Sequence, residues 1–345
     1  MLEINEFKHD LLKWFDENQR QMPWRETKNP YYIWLSEVML QQTQVNTVRP
    51  YYNAFIERFP TIEALSTTNE EDVLKYWEGL GYYSRVRNFH EAVKEVHNKY
   101  NGKVPDDPES FQSLKGVGPY TNAAVMSIVH NHPLPTVDGN VLRVWSRLTC
   151  NDADIAQPKT KKLFEKELQP FVETKSGDFN QAMMELGATI CTPKKPICIL
   201  CPVQKHCEAF AEGVVSELPV KKKKIKKKTI DYDVLYITNR EGQILIRKRD
   251  TKLLNGMWEF PMFEQDTSID AIEDKLDSVI TIENEPVIQT KHVFTHMTWN
   301  MKVYKAYMQK ENIKPPYKWM NKNEKDTLSF STSMTKIFTQ MNQLL

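Results

Sequence analysis

Four cysteines, Cys191, Cys198, Cys201 and Cys207, stand in the spacing C-x6-C-x2-C-x5-C, and only Cys150 lies elsewhere in the chain. Soft thiolates gathered this closely can saturate a tetrahedral metal or hold an iron–sulfur cluster. Pro193, Pro196 and Pro202 make the segment a tight loop rather than a long helix. The opening MLEINEFKHD is acidic and polar and does not read as a targeting segment, and a reducing compartment disfavours disulfides. Structural zinc more often brings two C-x2-C knuckles, and here there is one. Ligand chemistry therefore favours a [4Fe–4S] cluster, with zinc and free or paired thiols as the alternatives.

Two carboxylates occupy unlike settings. Asp138 lies in Pro135-Thr136-Val137-Asp138-Gly139-Asn140-Val141, just before a segment with Val141, Val144, Trp145 and Leu148 on one face. That is the place of a helix N-cap, and a carboxylate bonded to backbone N–H groups is expected to stay ionised. An anion there could stabilise a developing sugar cation. Glu37 is a single acid within Ile33-Trp34-Leu35-Ser36-Glu37-Val38-Met39-Leu40. It faces either solvent or a pocket. In a pocket, desolvation would raise its pKa and make it a proton donor near neutral pH. One protonated and one charged carboxyl is the division of labour that cleaves glycosidic-type bonds.

Leu114-Lys115-Gly116-Val117-Gly118-Pro119-Tyr120-Thr121 joins two helical segments. Gly116 and Gly118 permit positive φ and close backbone approach, and the next helix offers free N–H groups at its start. This is the pattern of a helix-hairpin-helix, which holds a DNA backbone without reading sequence. An ordinary helix–helix connection is the alternative.

Apolar residues at three- and four-residue spacing predict helices over 7–18, 30–40, 70–77, 120–129, 140–148 and 180–190. Residues 1–212 thus form a helical module with the cysteine loop at its end. Residues 213–229 read as a linker, with Lys221–Lys224 and Lys226–Lys228 inside it. Such a run is a solvated linker first; it can also meet phosphates. Beyond it the pattern changes to strands at 232–238, 243–248 and 299–307, with helices at 266–276 and 333–344, so residues 230–345 make a smaller α+β domain. The 345 residues carry 40% hydrophobic content and a net charge of +1, and no apolar run approaches a membrane span. A cytoplasmic, nucleoid-associated, monomeric protein is expected.

Residues 1–212 resemble the endonuclease III superfamily of DNA glycosylases, and more closely the MutY-type adenine DNA glycosylases. The quoted helix-hairpin-helix, Val137-Asp138-Gly139-Asn140-Val141 and the cysteine spacing carry the likeness. So do the segments from Leu35 to Val45, from Gly79 to Arg85 and from Phe179 to Ala188. The resemblance implies an all-α module with an iron–sulfur loop that removes adenine mispaired with 8-oxoguanine, or with G, from double-stranded DNA, leaving an abasic site. It implies that Glu37 protonates adenine N7 and that Asp138 faces the sugar cation. Tyr120 and Asn140 would line the pocket, Arg25 and Glu185 would hold the flipped adenine, and Gln42 and Tyr82 would fill the vacated stack, while Tyr83 packs in the core. Gly116 and Gly118 would contact the DNA backbone. Lyase relatives carry a lysine at the place of Tyr120; a phenol forms no imine, so the chain looks monofunctional. Residues 230–345 are similar to the family's Nudix-like domain, through Gly256-Met257-Trp258-Glu259-Phe260-Pro261. The magnesium-binding glutamate cluster of Nudix hydrolases is missing from the segment after it. Phe294, Thr295 and His296 stand where the family has Phe-Ser-His, a loop that probes 8-oxoguanine; Thr295 keeps the hydroxyl and adds a methyl.

Overall fold

The computed structural model describes residues 3–222 and 227–344, so residues 223–226 of the lysine run lie outside the described residues. The chain divides into two compact units, Met1–Thr67 with Asn88–Lys223 and Thr68–Arg87 with Lys224–Leu345.

The helices run, in chain order, α1 (Ile4–Asn18), α2 (Pro30–Leu40), α3 (Val45–Arg58), α4 (Ile62–Ser66), α5 (Glu70–Tyr76) and α6 (Ser84–Lys99). They continue as α7 (Pro108–Ser113), α8 (Pro119–His130), α9 (Gly139–Leu148), α10 (Pro158–Leu168), α11 (Ser176–Thr189) and α12 (Glu208–Ala211). Local chemistry sets their ends. Asn29 caps α2 by accepting from Tyr31 N at 2.9 Å, with Pro30 at the first helical position. Pro119 opens α8, and Asn131 closes it with φ 57°. Asp138 caps α9.

In the first unit α11 packs on α1, α8 and α9, and α2 packs on α8. One core joins Phe7, Leu11 and Phe15 of α1 to Val141, Val144, Trp145 and Leu148 of α9 and to Phe179, Met183 and Leu186 of α11. Elsewhere Trp34 of α2 meets Phe89 and Phe111 edge-on, with ring centroids 4.7 and 5.2 Å away. Such a tryptophan anchors its helix, and truncation to alanine costs about 3–5 kcal/mol. α2 is buried on every side from Ile33 through Met39, and Glu37 lies within that stretch.

The second unit carries strands β1 (Lys228–Ile237), β2 (Ile244–Lys248), β3 (Trp258–Glu259), β4 (Met262–Glu264), β5 (Ile280–Ile282), β6 (Ile288–Val293), β7 (Met297–Met308) and β8 (Tyr317–Met320). Its helices α13 (Ile269–Leu276) and α14 (Thr332–Leu344) complete an α+β domain. One sheet runs β4-β1-β7-β5, with β6 also on β7, and a second runs β3-β2-β8. β1 and β7 are parallel, and β7 pairs antiparallel with β6 through the loop at 294–296. β1 starts four residues before the alternation at 232 suggests, because Lys228 to Asp231 pair with Met297 to Asn300. α13 starts later than expected, because the Ser268 hydroxyl accepts from Ala271 N and caps the helix there.

α5 and the turn after it belong by contact to this second unit rather than to the helical module that chain order suggests. Trp258 Nε1 donates to Glu71 Oε1 at 2.8 Å, Phe330 N to Glu78 Oε1 at 3.1 Å, and Lys75 Nζ to the Leu328 carbonyl at 3.1 Å.

Candidate active site

A cavity of about 550 Å³ opens in the first unit, lined from α2, α8, α9, α11 and the chain before α2. Glu37, Tyr120, Asp138, Asn140, Arg25 and Glu185 all line it. Residues far apart in sequence thus share one hollow because α2 and α11 both pack on α8.

Glu37 is 6% exposed, which removes the solvent-facing alternative. Burial pushes its carboxyl up to about 7, and the Asp138 charge pushes the same way, while the Tyr120 hydrogen bond and the Arg25 charge oppose. Tyr120 OH donates to Glu37 Oε2 at 3.2 Å. Asp138 Oδ1 accepts from Val141 N at 2.8 Å and Oδ2 from Asn140 Nδ2 at 2.9 Å. Those donors were expected to depress the Asp138 pKa. It lies above its ordinary value instead, because burial outweighs the bonds from Val141 and Asn140. Asp138 still has two donors in place where Glu37 has one. Of the two groups, Glu37 is therefore the one that keeps a proton.

The far wall is an Arg–Glu–Arg cluster. Glu185 is 1% exposed. Arg20 grips it bidentately, Nε to Oε1 at 2.6 Å and Nη2 to Oε2 at 3.0 Å, and Arg25 Nη2 reaches Oε2 at 2.9 Å. Burial alone would raise the Glu185 carboxyl, yet the Arg20 hydrogen bond and the Arg25 and Arg20 charges hold it below the usual range. It stays an acceptor and fixes both guanidinium planes. Arg20 escaped the sequence reading because it sits in the irregular stretch after α1, where no periodicity marks a pocket. Thr43, Gln181 and Met184 also line the cavity unannounced by pattern.

α9 carries two further buried arginines that pattern could have flagged, since Arg143 and Arg147 are four residues apart on a helix whose other face is apolar. Arg143 Nε donates to the Cys191 carbonyl at 2.8 Å and Nη2 to Asn140 Oδ1 at 2.9 Å. Arg147 Nη1 lies 3.2 Å from Cys191 Sγ.

All four cysteines wall a small hollow with Val144, Leu148, Leu186, Ile190, Val203 and Phe210. They are free thiols, so the disulfide alternative falls. Zinc at about 2.3 Å from each sulfur would bring tetrahedral sulfurs within about 4 Å of one another. Among the described residues, no three of these sulfurs lie mutually within 4.8 Å. Four soft donors with the Arg147 guanidinium beside Cys191 suit a bound metal group. Burial lifts the Cys201 thiol to about 12, so a bound cation is needed to hold it as thiolate.

The remaining expected residues lie outside the cavity. Gln42 is exposed between α2 and α3 with φ 58°. Gly116 has φ +78°, and a Cβ there would stand 2.6 Å from Asn88 Cβ, so glycine is required; Gly118 caps α8 in extended backbone. Lys115 pairs with Glu91 and does not line the cavity. In the second unit Tyr82 is 43% exposed with φ 51°, whereas Tyr83 is buried and its hydroxyl accepts from Gly79 N at 3.0 Å. Phe294 packs edge-on against Trp299, centroids 4.7 Å apart, while Thr295 and His296 are exposed at the β6–β7 loop. The Thr295 hydroxyl is hydrogen-bonded to Tyr82 OH. Among the described residues no helix is long and apolar enough to cross a membrane.

A buried acid, a capped carboxylate and a glycine-turned hairpin on this helical framework, followed by a Nudix-like domain, define a base-excision glycosylase of the helix-hairpin-helix class. Residues 35–170 match the HhH-GPD superfamily base excision DNA repair proteins, and residues 233–340 match the NUDIX domain. The chain is 30% identical to the adenine DNA glycosylase of Mus musculus over 97% of its length and 78% of the relative's. It is 32% identical to that of Buchnera aphidicola (subsp. Baizongia pistaciae), over 98% and 97%. A solved thermostable thymine-DNA glycosylase covers 61% of the chain and 97% of itself, at 28% identity and a TM-score of 0.55. The chain belongs to the adenine DNA glycosylases, hydrolases of N-glycosyl bonds that act in DNA repair.

Proposed function

We propose that this enzyme hydrolyses the glycosidic bond of adenine paired with 8-oxoguanine, and with G, without cutting the strand. The observation that supports it most is the meeting of a buried carboxyl, Glu37, and a half-buried one, Asp138, in one cavity, with the proton held on Glu37. A flipped adenine would lie between them. Glu37 gives its proton to adenine N7, the C1′–N9 bond breaks with its electrons leaving on the base, and the Asp138 carboxylate faces the cation at C1′. Water adds at C1′ and releases its proton, leaving adenine and an abasic site. Asn140 holds Asp138, Tyr120 holds Glu37, and Glu185 orients Arg20 and Arg25 so that their remaining N–H groups meet the base edge. Among the described residues lining the cavity there is no lysine, and Tyr120 cannot form an imine, which favours hydrolysis over a Schiff-base lyase.

Gly116, Gly118 and the start of α8 would bind the backbone, Gln42 and Tyr82 would occupy the opened stack, and Phe294, Thr295 and His296 would test the opposite base. Cys191, Cys198, Cys201 and Cys207 would hold a [4Fe–4S] cluster that ties the loop to α9 as a structural element.

Single-turnover reactions on duplexes with A opposite 8-oxoguanine, A opposite G, or thymine glycol, with and without alkali, test this. Adenine loss with breaks only after alkali is expected. Thymine-glycol excision with alkali-independent breaks would overturn it.

A further inference from the structure

The lysine run ends inside a strand. Its last residue, Lys228, is the first of β1 and lies opposite Met297, the residue that closes the loop Phe294–Thr295–His296. Lys228 N donates to the His296 carbonyl at 3.2 Å. Strand alternation puts the Lys228 side chain on the face of Ile230 and Tyr232, the face on which Phe294 packs. Lys227, Lys228 and Thr229 are all exposed. Among the described residues neither lysine has an ion-pair partner within 4.0 Å. The first acid along β1, Asp231, has Oδ1 engaged by Asn300 Nδ2 at 2.7 Å. The same tip of the sheet exposes Val293 at 52% and, through its bond to Thr295, the ring of Tyr82 at 43%.

Two adjacent unpaired cations, Lys228 on the paired backbone of β1 and Lys227 just before it, beside an exposed ring and a polar loop, have the composition of a nucleic-acid contact. Pairing with β7 has already ordered the backbone of Lys228, so a phosphate contact there loses less conformational entropy than one made by a free linker.

We propose that Lys227 and Lys228 form a phosphate-binding pair that grips the DNA backbone next to the nucleotide probed by Phe294, Thr295 and His296. This rests on that loop being the base probe. The lysines read no sequence; they set where the loop lands.

The test uses the full chain and a duplex in which 2′-fluoro-adenosine, inert to cleavage, stands opposite 8-oxoguanine, with an A:T duplex beside it. Affinity is measured between about 50 and 200 mM salt, and each lost phosphate contact lowers the slope of log affinity against log salt by about 0.9. Lys227→Gln with Lys228→Gln should lower it by about 1.8, and weaken both duplexes by the same factor. Lys221→Gln with Lys222→Gln should leave the slope unchanged; there Asp154 Oδ1 accepts from Lys222 N at 3.2 Å, well before the sheet. An unchanged slope in the first pair, or an equal fall in the second, overturns the proposal. Lys227→Gln alone, expected to lower the slope by about 0.9, serves if the double variant melts early. If the unsubstituted protein fails to prefer the 8-oxoguanine duplex over A:T, the base-probe reading falls, and the slopes still decide the phosphate pair.

Discussion

Tyr120 OH donates to Glu37 Oε2 at 3.2 Å, and Tyr120 is the second residue of the helix that begins at Pro119. The turn proposed to meet the DNA backbone and the group that bonds the buried acid are therefore parts of one element. A shift at the hairpin reaches the proton donor without passing through a loop.

Glu37→Gln should lower the single-turnover excision rate by at least ~10²-fold while DNA binding persists, since general acid catalysis is lost. A near-normal rate would refute the role. The same variant carries a stability signature. Burial raises the folded pKa from 4.5 to about 7. The native state then binds the proton more tightly than the unfolded one, so wild-type stability is full below about 4.5 and falls as pH rises through about 7. Glu37→Gln lacks this loss. Its melting temperature should gain on wild type between pH 4.5 and 7.5, by up to roughly 3 kcal/mol in stability. Parallel pH–melting curves would show that Glu37 is not desolvated.

Tyr120→Phe removes a bond that lowers the Glu37 pKa. The basic limb of the excision–pH profile, which falls as Glu37 loses its proton, should move to higher pH. Tyr120→Lys should gain strand cleavage and become trappable by borohydride, because an amine then lines the cavity. Wild-type trapping as efficient as a lyase's would end the monofunctional reading.

Asp138→Asn should retain the cap on α9, because an amide oxygen accepts from Val141 N as a carboxylate does, and should lose excision. Asp138→Ala should lose excision and about 1 kcal/mol of stability besides. An active Asp138→Asn would reduce the residue to its cap.

Purified without oxygen damage, the protein should be brown with broad absorption near about 400 nm. Colourless protein with about one zinc per chain would show that the sulfurs close on a single ion after all.

The pattern of types and spacings showed most of the cavity in advance. Asp138 is legible as a cap and Glu37 as a lone acid in an apolar helix, with its facing left open, whereas Tyr120 and Asn140 come only with the family resemblance. Arg20 was not, because its partner Glu185 is distant in sequence and a loop arginine has no periodic signature. The direction of the Asp138 shift was misread for a related reason: a sequence displays the cap donors and conceals the burial that outweighs them. The assignment of α5 to the second unit was equally hidden, since Glu71, Lys75 and Glu78 look like any solvated helix face until Trp258, Leu328 and Phe330 are placed beside them.

That last feature decides how the second unit should be tested. Deleting residues 230–345 would strip Trp258 from Glu71 and Phe330 from Glu78, and would disturb the turn carrying Tyr82 as well as remove the proposed base probe. Changing Phe294, Thr295 and His296 together to alanine leaves those bonds intact and should hurt A:8-oxoguanine more than A:G. Each carboxyl of the cavity lies in the first unit, so chemistry should survive. Losing one or two good hydrogen bonds to the lesion costs about 1–3 kcal/mol, or roughly 5- to 150-fold in discrimination. The Tyr82–Thr295 bond adds a second expectation: Thr295→Ser keeps the hydroxyl and should retain the preference, whereas Thr295→Val keeps the shape and should lose part of it. Affinity and single-turnover rate on both mispairs separate these outcomes. Equal losses on the two substrates would mean that the loop adds general DNA affinity and does not read the lesion.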